Sequence, residues 1–103
     1  QLNNLGAHKE ALAHFDKAIK LSPSNTEAVY YRAETKIALK DLSGAIEDYL
    51  KVIDKIPSNS AAHNNLANVY YSAGENEKAC ISWQTAAGLG SKAAQASMER
   101  KCD

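Results

Sequence analysis

Moved along itself by 34 residues, the chain meets its own pattern again. "LSPSNTEA" at 21–28 falls on "KIPSNSAA" at 55–62, and Pro23 falls on Pro57. The same shift lays Ala11 over Ala45 and Ala79, Phe15 over Tyr49 and Trp83, and Ala18 over Val52 and Ala86. Small, aromatic and small side chains therefore recur at i, i+4 and i+7, which is one face of a helix. Three such helices are expected, at about 8–21, 42–55 and 76–88. A fixed period of this length means stacked supersecondary units, none of which buries its apolar face alone.

A second helical pattern precedes each of the later two. "TEAVYYRAETKIALK" puts Val29, Ala33 and Ile37 on one stripe, and "SAAHNNLANVYYSAG" does so with Leu66, Ala67 and Tyr70. Asn25 or Thr26, and Asn59 or Ser60, stand where a helix N-cap is needed after each Pro turn. The prolines fall where the preceding helix must stop. Gly6 and Gly74 occupy the position where the first helix of a unit would end in a left-handed residue. Lys40 holds that position in the middle unit, at a cost of about 1 kcal/mol relative to glycine.

The unit is thus a helix–turn–helix of 34 residues, and it resembles the tetratricopeptide repeat. That family places W-x2-L-G-x2-Y in its first helix, then A-x3-F-x2-A and a Pro in the second. The second-helix half matches three times, as Ala11-Phe15-Ala18, Ala45-Tyr49-Val52 and Ala79-Trp83-Ala86, and the Pro matches twice. The first-helix half matches well only as Leu66-Ala67-Tyr70. In the middle unit Arg32 replaces the Leu and Lys36 the Tyr, so a looser seam is expected there. The resemblance implies an all-α superhelix of antiparallel helix–turn–helix repeats in one domain. Its parts would be a partial repeat at 1–23, full repeats at 24–57 and 58–90, and a capping helix at 91–103.

Both ends depart from the repeat. "QLNNL" leaves about one turn of a first helix, too short to be stable alone. Leu2 and Leu5 cannot cover the face made by Leu12, Phe15 and Ile19, so this edge is expected to lie against another chain or an upstream helix. At the other end Ser91 stands where Pro is due. Ser91 is the expected N-cap of a last helix at about 91–101, whose apolar stripe is Ala94, Met98 and Cys102. "AAGLGSKAAQ" also resembles the helix passage of Sel1-like repeats, and "ACISWQTAAGLGSKAAQ" resembles the ends of arrays common in bacteria, but the upstream spacing of 34 favours the tetratricopeptide pattern.

Chemistry is sparse. Twelve Lys and Arg balance twelve Asp and Glu, so no net field favours nucleic acid or an anionic membrane. No apolar run approaches the roughly 20 residues of a bilayer span, and the compartment is not set by any recognisable targeting segment. His8, His14 and His63 form no i, i+4 pair with further ligands, so neither metal nor cofactor is expected. No phosphate loop or nucleophile elbow occurs, and no enzyme activity is expected. Cys80 and Cys102 fall on the last two helices, which should pack together. A disulfide there would close a loop of about 23 residues and add roughly 3 kcal/mol; two small buried hydrophobes are the alternative.

The family resemblance implies that the first helices line a concave groove. Mapped onto this chain, the groove positions are Glu27, Tyr30, Tyr31, Glu34 and Ala38, then Ala61, Asn64, Asn65, Asn68, Tyr71 and Ser72, with Asn3 and Asn4 from the short first helix. Asn side chains both donate to and accept from a peptide backbone, and Tyr rings supply rigid contact area. Tyr70 faces the packing seam instead. One use of the family is a two-carboxylate clamp for chaperone tails, which needs Lys and Asn, then Asn, then Lys and Arg on successive first helices. One register supplies Tyr30, Glu34, Asn65, Gln95 and Glu99; the other supplies Tyr31, Ala61 and Asn65. Neither makes the clamp, and Glu27 and Glu34 would repel an acidic tail. The expected function is a protein-interaction module that holds a peptide or partner helix, the alternative being self-assembly through the N-terminal edge.

Overall fold

Each Pro-Ser-Asn turn stops one helix and caps the next. The computed structural model describes residues 5–102. Six helices follow one another: α1 (Leu5–Leu21), α2 (Thr26–Ala38), α3 (Leu42–Lys55), α4 (Ser60–Ser72), α5 (Asn76–Gly88) and α6 (Lys92–Lys101). Asn25 Oδ1 accepts from the Ala28 amide at 3.1 Å, Asn59 Oδ1 from Ala62 at 3.0 Å, and Ser91 Oγ from Ala94 at 3.1 Å. These caps answer amides that a helix start leaves without internal partners. His63, on α4, turns back and donates a ring N–H to the Pro57 carbonyl at 2.9 Å, which ties it to the turn.

The passages from α2 to α3, α4 to α5 and α5 to α6 share one geometry. Lys40, Gly74 and Gly90 take φ of 67°, 85° and 105°. Beyond them Asp41 donates to the Lys36 carbonyl at 2.8 Å, Glu75 to Tyr70 at 2.8 Å and Ser91 to Ala86 at 3.0 Å, closing the six-to-one bond of a left-handed helix end. Only Lys40 carries a Cβ there. Lys40→Gly is expected to raise the unfolding free energy by up to about 1 kcal/mol, read as a higher urea midpoint at unchanged slope.

Gly6 corrects the sequence expectation. It does not end a helix but lies within α1, which runs unbroken from Leu5 to Leu21 among the described residues. A glycine inside a helix costs only about 1 kcal/mol relative to alanine. The alanine- and lysine-rich turns that follow propagate through it. Leu2, Asn3 and Asn4 lie outside the described residues, as does the side chain of Leu5.

Successive helices pack in sequence order, α1 on α2 through to α5 on α6. One core cluster joins α2, α3 and α4 through Val29, Ala33, Ala45, Tyr49, Val52, Leu66 and Val69. A second joins α4, α5 and α6 through Ala67, Ala79, Trp83, Ala86 and Ala94. The triads Ala45-Tyr49-Val52 and Ala79-Trp83-Ala86 are buried, whereas Ala11, Phe15 and Ala18 are only half-buried. Among the described residues α1 packs chiefly on α2, whereas α3 and α5 each pack between two helices, which accounts for the difference. No helix among them is long and apolar enough to cross a membrane.

α6 closes the array with Ala94 buried and Met98 and Cys102 against the second cluster. Cys102 is joined to Cys80 by a disulfide, so neither cysteine is free. The bond ties the last helix to α5 across a sequence separation of 22. Replacing both cysteines by serine, or adding reductant, is expected to remove up to about 3 kcal/mol. Thermal unfolding followed by far-UV circular dichroism would show it as a lower midpoint, and equal midpoints with and without reductant would contradict it.

The seam between α2 and α3 is not loose. Arg32 and Lys36, standing where the family has Leu and Tyr, converge on Asp48 of α3, whose side chain is 1% exposed. Arg32 Nε donates to Asp48 Oδ2 at 2.9 Å and its Nη2 to Oδ1 at 2.7 Å, a bidentate pair. Arg32 Nη1 donates to Asp16 of α1 at 2.9 Å, and Lys36 Nζ stands 3.1 Å from Asp48 Oδ2. Lys36 reaches Asp48 past Gly44, where a Cβ would stand 2.9 Å from the lysine Cδ. Burial alone would raise the Asp48 pKa, but the hydrogen bonds and charges of Arg32 and Lys36 outweigh it and hold the carboxyl below its ordinary value.

Candidate functional site

α2 and α4 share a pattern, since both turn apolar residues to the seam and Tyr or Asn residues to the other face. Val29 and Ala33 bury one side of α2, and Ala62, Leu66 and Val69 bury one side of α4. What remains of each helix forms a common face. Across it Asn65 Nδ2 donates to the Tyr30 hydroxyl at 2.7 Å. This bond directly joins two of the residues that the sequence places in the groove.

Two depressions share this face. One, of about 300 Å³, is lined by Thr26, Glu27, Tyr30, Tyr31, Asn59 and Ala61 together with Val52 and Ile56 of α3 and its C-cap. The other, of about 330 Å³, is lined by Glu34, Ile37, Tyr49, Asn65 and Asn68. Tyr30 meets Tyr31 edge-on at 5.7 Å and Tyr49 likewise at 5.7 Å. The aromatic edges therefore hold the rings in fixed relative orientations.

Tyr49 is fully buried, yet its hydroxyl has no hydrogen-bond partner. Asn64 Oδ1 is likewise buried without one. Unpaired buried polar atoms are uncommon and costly, about 1–3 kcal/mol each, and Tyr49 lines the second depression. Burial first, and the negative charge of Glu34 second, push the Tyr49 phenol above its ordinary pKa. The same two causes, in the same order, raise Tyr30 against the opposing hydrogen bond from Asn65. Both phenols thus stay neutral well beyond neutral pH.

Other expected groove residues are partly committed to the fold. Asn68 Oδ1 accepts from the Trp83 indole N–H at 3.2 Å, so this side chain anchors the buried ring as well as facing outward. Tyr71, 38% exposed, leans on Trp83 with centroids 5.5 Å apart, and Lys101 of α6 stands 4.6 Å above the Tyr71 ring. Sequence reasoning did not find Lys101 or Tyr49 as groove-side residues. Tyr49 was read only as core, and Lys101 lies in a helix treated only as a cap. The one signal for Tyr49 was a phenol where the first repeat carries Phe15, which brings a hydroxyl into the core that must go somewhere.

At the N-terminal edge, Leu12, Phe15 and Ile19 are half-buried rather than bare. Ile19 packs against the first core cluster, and the Phe15 ring stacks on Tyr31 at 6.1 Å. α2 thus covers part of the face that Leu2 and Leu5 were too few to cover.

Comparison with known proteins agrees with this architecture. The profile described as "Tetratricopeptide repeat" matches residues 4–47, and that described as "TPR repeat" matches residues 35–74. The chain belongs to the tetratricopeptide repeat family. It is 39% identical over 83 residues to the inactive TPR repeat-containing thioredoxin TTL3 of Arabidopsis thaliana, a match covering 77% of this chain and 12% of that protein. The chain therefore spans about an eighth of that relative's length. Among solved structures it superposes on the first TPR of Spaghetti (RPAP3) bound to HSP90 peptide SRMEEVD, with TM-score 0.85, 18% identity, and coverage of 92% of this chain and 77% of that one. It also superposes on MamA 41-end from Desulfovibrio magneticus RS-1, with TM-score 0.77, 28% identity, and coverage of 86% and 50%.

Proposed function

We propose that the chain is a non-catalytic protein-interaction module that holds an extended peptide segment across the face shared by α2 and α4. The observation that carries this is the Tyr30–Asn65 bond with a depression beside each partner, one of them lined by Tyr49, whose buried hydroxyl is unpaired. An orphaned buried hydroxyl at the wall of a depression calls for an explanation beyond folding. Tyr30, Tyr31 and Tyr71 supply amphipathic area, while Asn64, Asn65 and Asn68 supply amides suited to a peptide backbone. The neighbour bound to an HSP90 peptide supports the class of ligand.

The two-carboxylate clamp is not part of the proposal. Its cationic positions hold Tyr30, Gln95 and Glu99 here, and Glu99 accepts from Gln95 Nε2 at 3.4 Å. A pull-down with the parent protein, bound proteins identified by mass spectrometry, tests the groove. Asn65→Ala combined with Tyr30→Ala is expected to abolish the specific partner while circular dichroism shows the helices intact. Retention of every partner by that variant would refute the groove. A concentration-dependent dimer lost on Phe15→Asp, seen by light scattering, would favour the alternative, self-assembly through Leu12, Phe15 and Ile19.

A further inference from the structure

We propose that the pocket beneath Glu34 receives the cationic side chain of a lysine or arginine carried by the partner peptide; this rests on the groove reading and names its ligand chemistry. The pocket is rich in hydrogen-bond acceptors and carries one negative charge. Glu34, when ionised, only accepts hydrogen bonds, and among the described residues it has no cationic partner. The nearby cations on its own helix, Arg32 and Lys36, are both committed to Asp48 across the seam. Tyr49 lines the same pocket, and its buried hydroxyl has no hydrogen-bond partner. Asn65 gives one N–H of its Nδ2 to Tyr30, and its Oδ1 is a further acceptor at this wall.

A site of acceptors and one negative charge is complemented by donors and a positive charge. An ammonium offers three N–H donors and a guanidinium five. Ile37 gives an apolar wall for the methylene stem of either side chain, and about 330 Å³ is room enough for it. Glu27 lines the adjoining depression, so the negative character extends along the face. An acidic peptide would bring like charge to the same wall. That both Tyr30 and Tyr49 are pushed towards the neutral form by Glu34 agrees with a carboxylate close to the two hydroxyls.

Selection of a random heptapeptide display library on the chain tests this directly. Lysine or arginine is expected to be enriched at one position of the selected sequences. Resynthesis of the best peptide with norleucine at that position should weaken binding about tenfold or more. Glu34→Gln, a change at an exposed residue, should weaken binding of the parent peptide by a similar factor and have little further effect on the norleucine peptide. Selected peptides without a basic preference would overturn the cation pocket and leave the groove standing. Basic enrichment untouched by Glu34→Gln would overturn it too, because the cation would then be held elsewhere. Recovery of no peptide at all would overturn both proposals.

Discussion

Trp83→Ala is expected to lower the unfolding free energy by about 4 kcal/mol. Trp83 is the largest fully buried side chain, and Ala67, Ala79, Ala86 and Ala94 surround it. Alanines have no side-chain length with which to fill the void, so the cavity would persist and add to the lost transfer energy. The ring stands against Tyr71 of α4, and its N–H reaches Asn68 of the same helix. A domain of this size has a total stability of about 5–15 kcal/mol, so the variant should be close to unfolding at moderate temperature. Urea denaturation followed by far-UV circular dichroism would measure it, since the only tryptophan has been removed. Trp83→Phe, which restores the aromatic of the first repeat, should recover more than half of the loss; equal losses in the two variants would show that ring packing is not the cause.

Asp48→Ala should cost about 3–4 kcal/mol at neutral pH. Removing one partner of a buried ion pair strands the other charges, and such losses run at about 3–5 kcal/mol. The lower part of that range applies because Arg32 keeps Asp16, and Arg32 and Lys36 retain slight access to water. The effect should depend on pH. The folded Asp48 carboxyl titrates below its unfolded value of about 3.9. Its contribution is therefore fully present above the unfolded value and is lost as pH falls through the folded one. The stability gap between wild type and Asp48→Ala should thus be constant from pH 7 to about pH 5 and narrow below about pH 4. A gap that stays the same down to pH 2 would mean that Asp48 acts through packing rather than charge.

Much of this chain is local, and what is local was legible. The helices α3 and α5 were read from the Ala-aromatic-small spacing to the residue, because that spacing reports a helix face without reference to any partner. Asn25, Asn59 and Ser91 cap their helices through bonds spanning three residues, well within the reach of a sequence pattern. Lys40 was legible for the same reason, since a six-to-one bond is settled by adjacent residues. Gly6 was misread because a glycine permits a helix end without requiring one. The groove was legible only as a set of positions. Which of its side chains are free, and which already hold one another, was not.

The sequence by itself determined the repeat, its handover at each turn and the capping helix. Those follow from short-range periodicity and the dihedral preferences of Pro, Gly and Asn. Only the tertiary structure decided that Arg32 and Lys36 share a buried Asp48, that Asn65 holds Tyr30, that Asn68 supports Trp83, and that the Tyr49 hydroxyl is left unpaired beside Glu34. These contacts join residues on different helices, at distances set by how the helices pack. A one-dimensional pattern records which side chains share a face, but not which atoms on facing helices come within 3 Å.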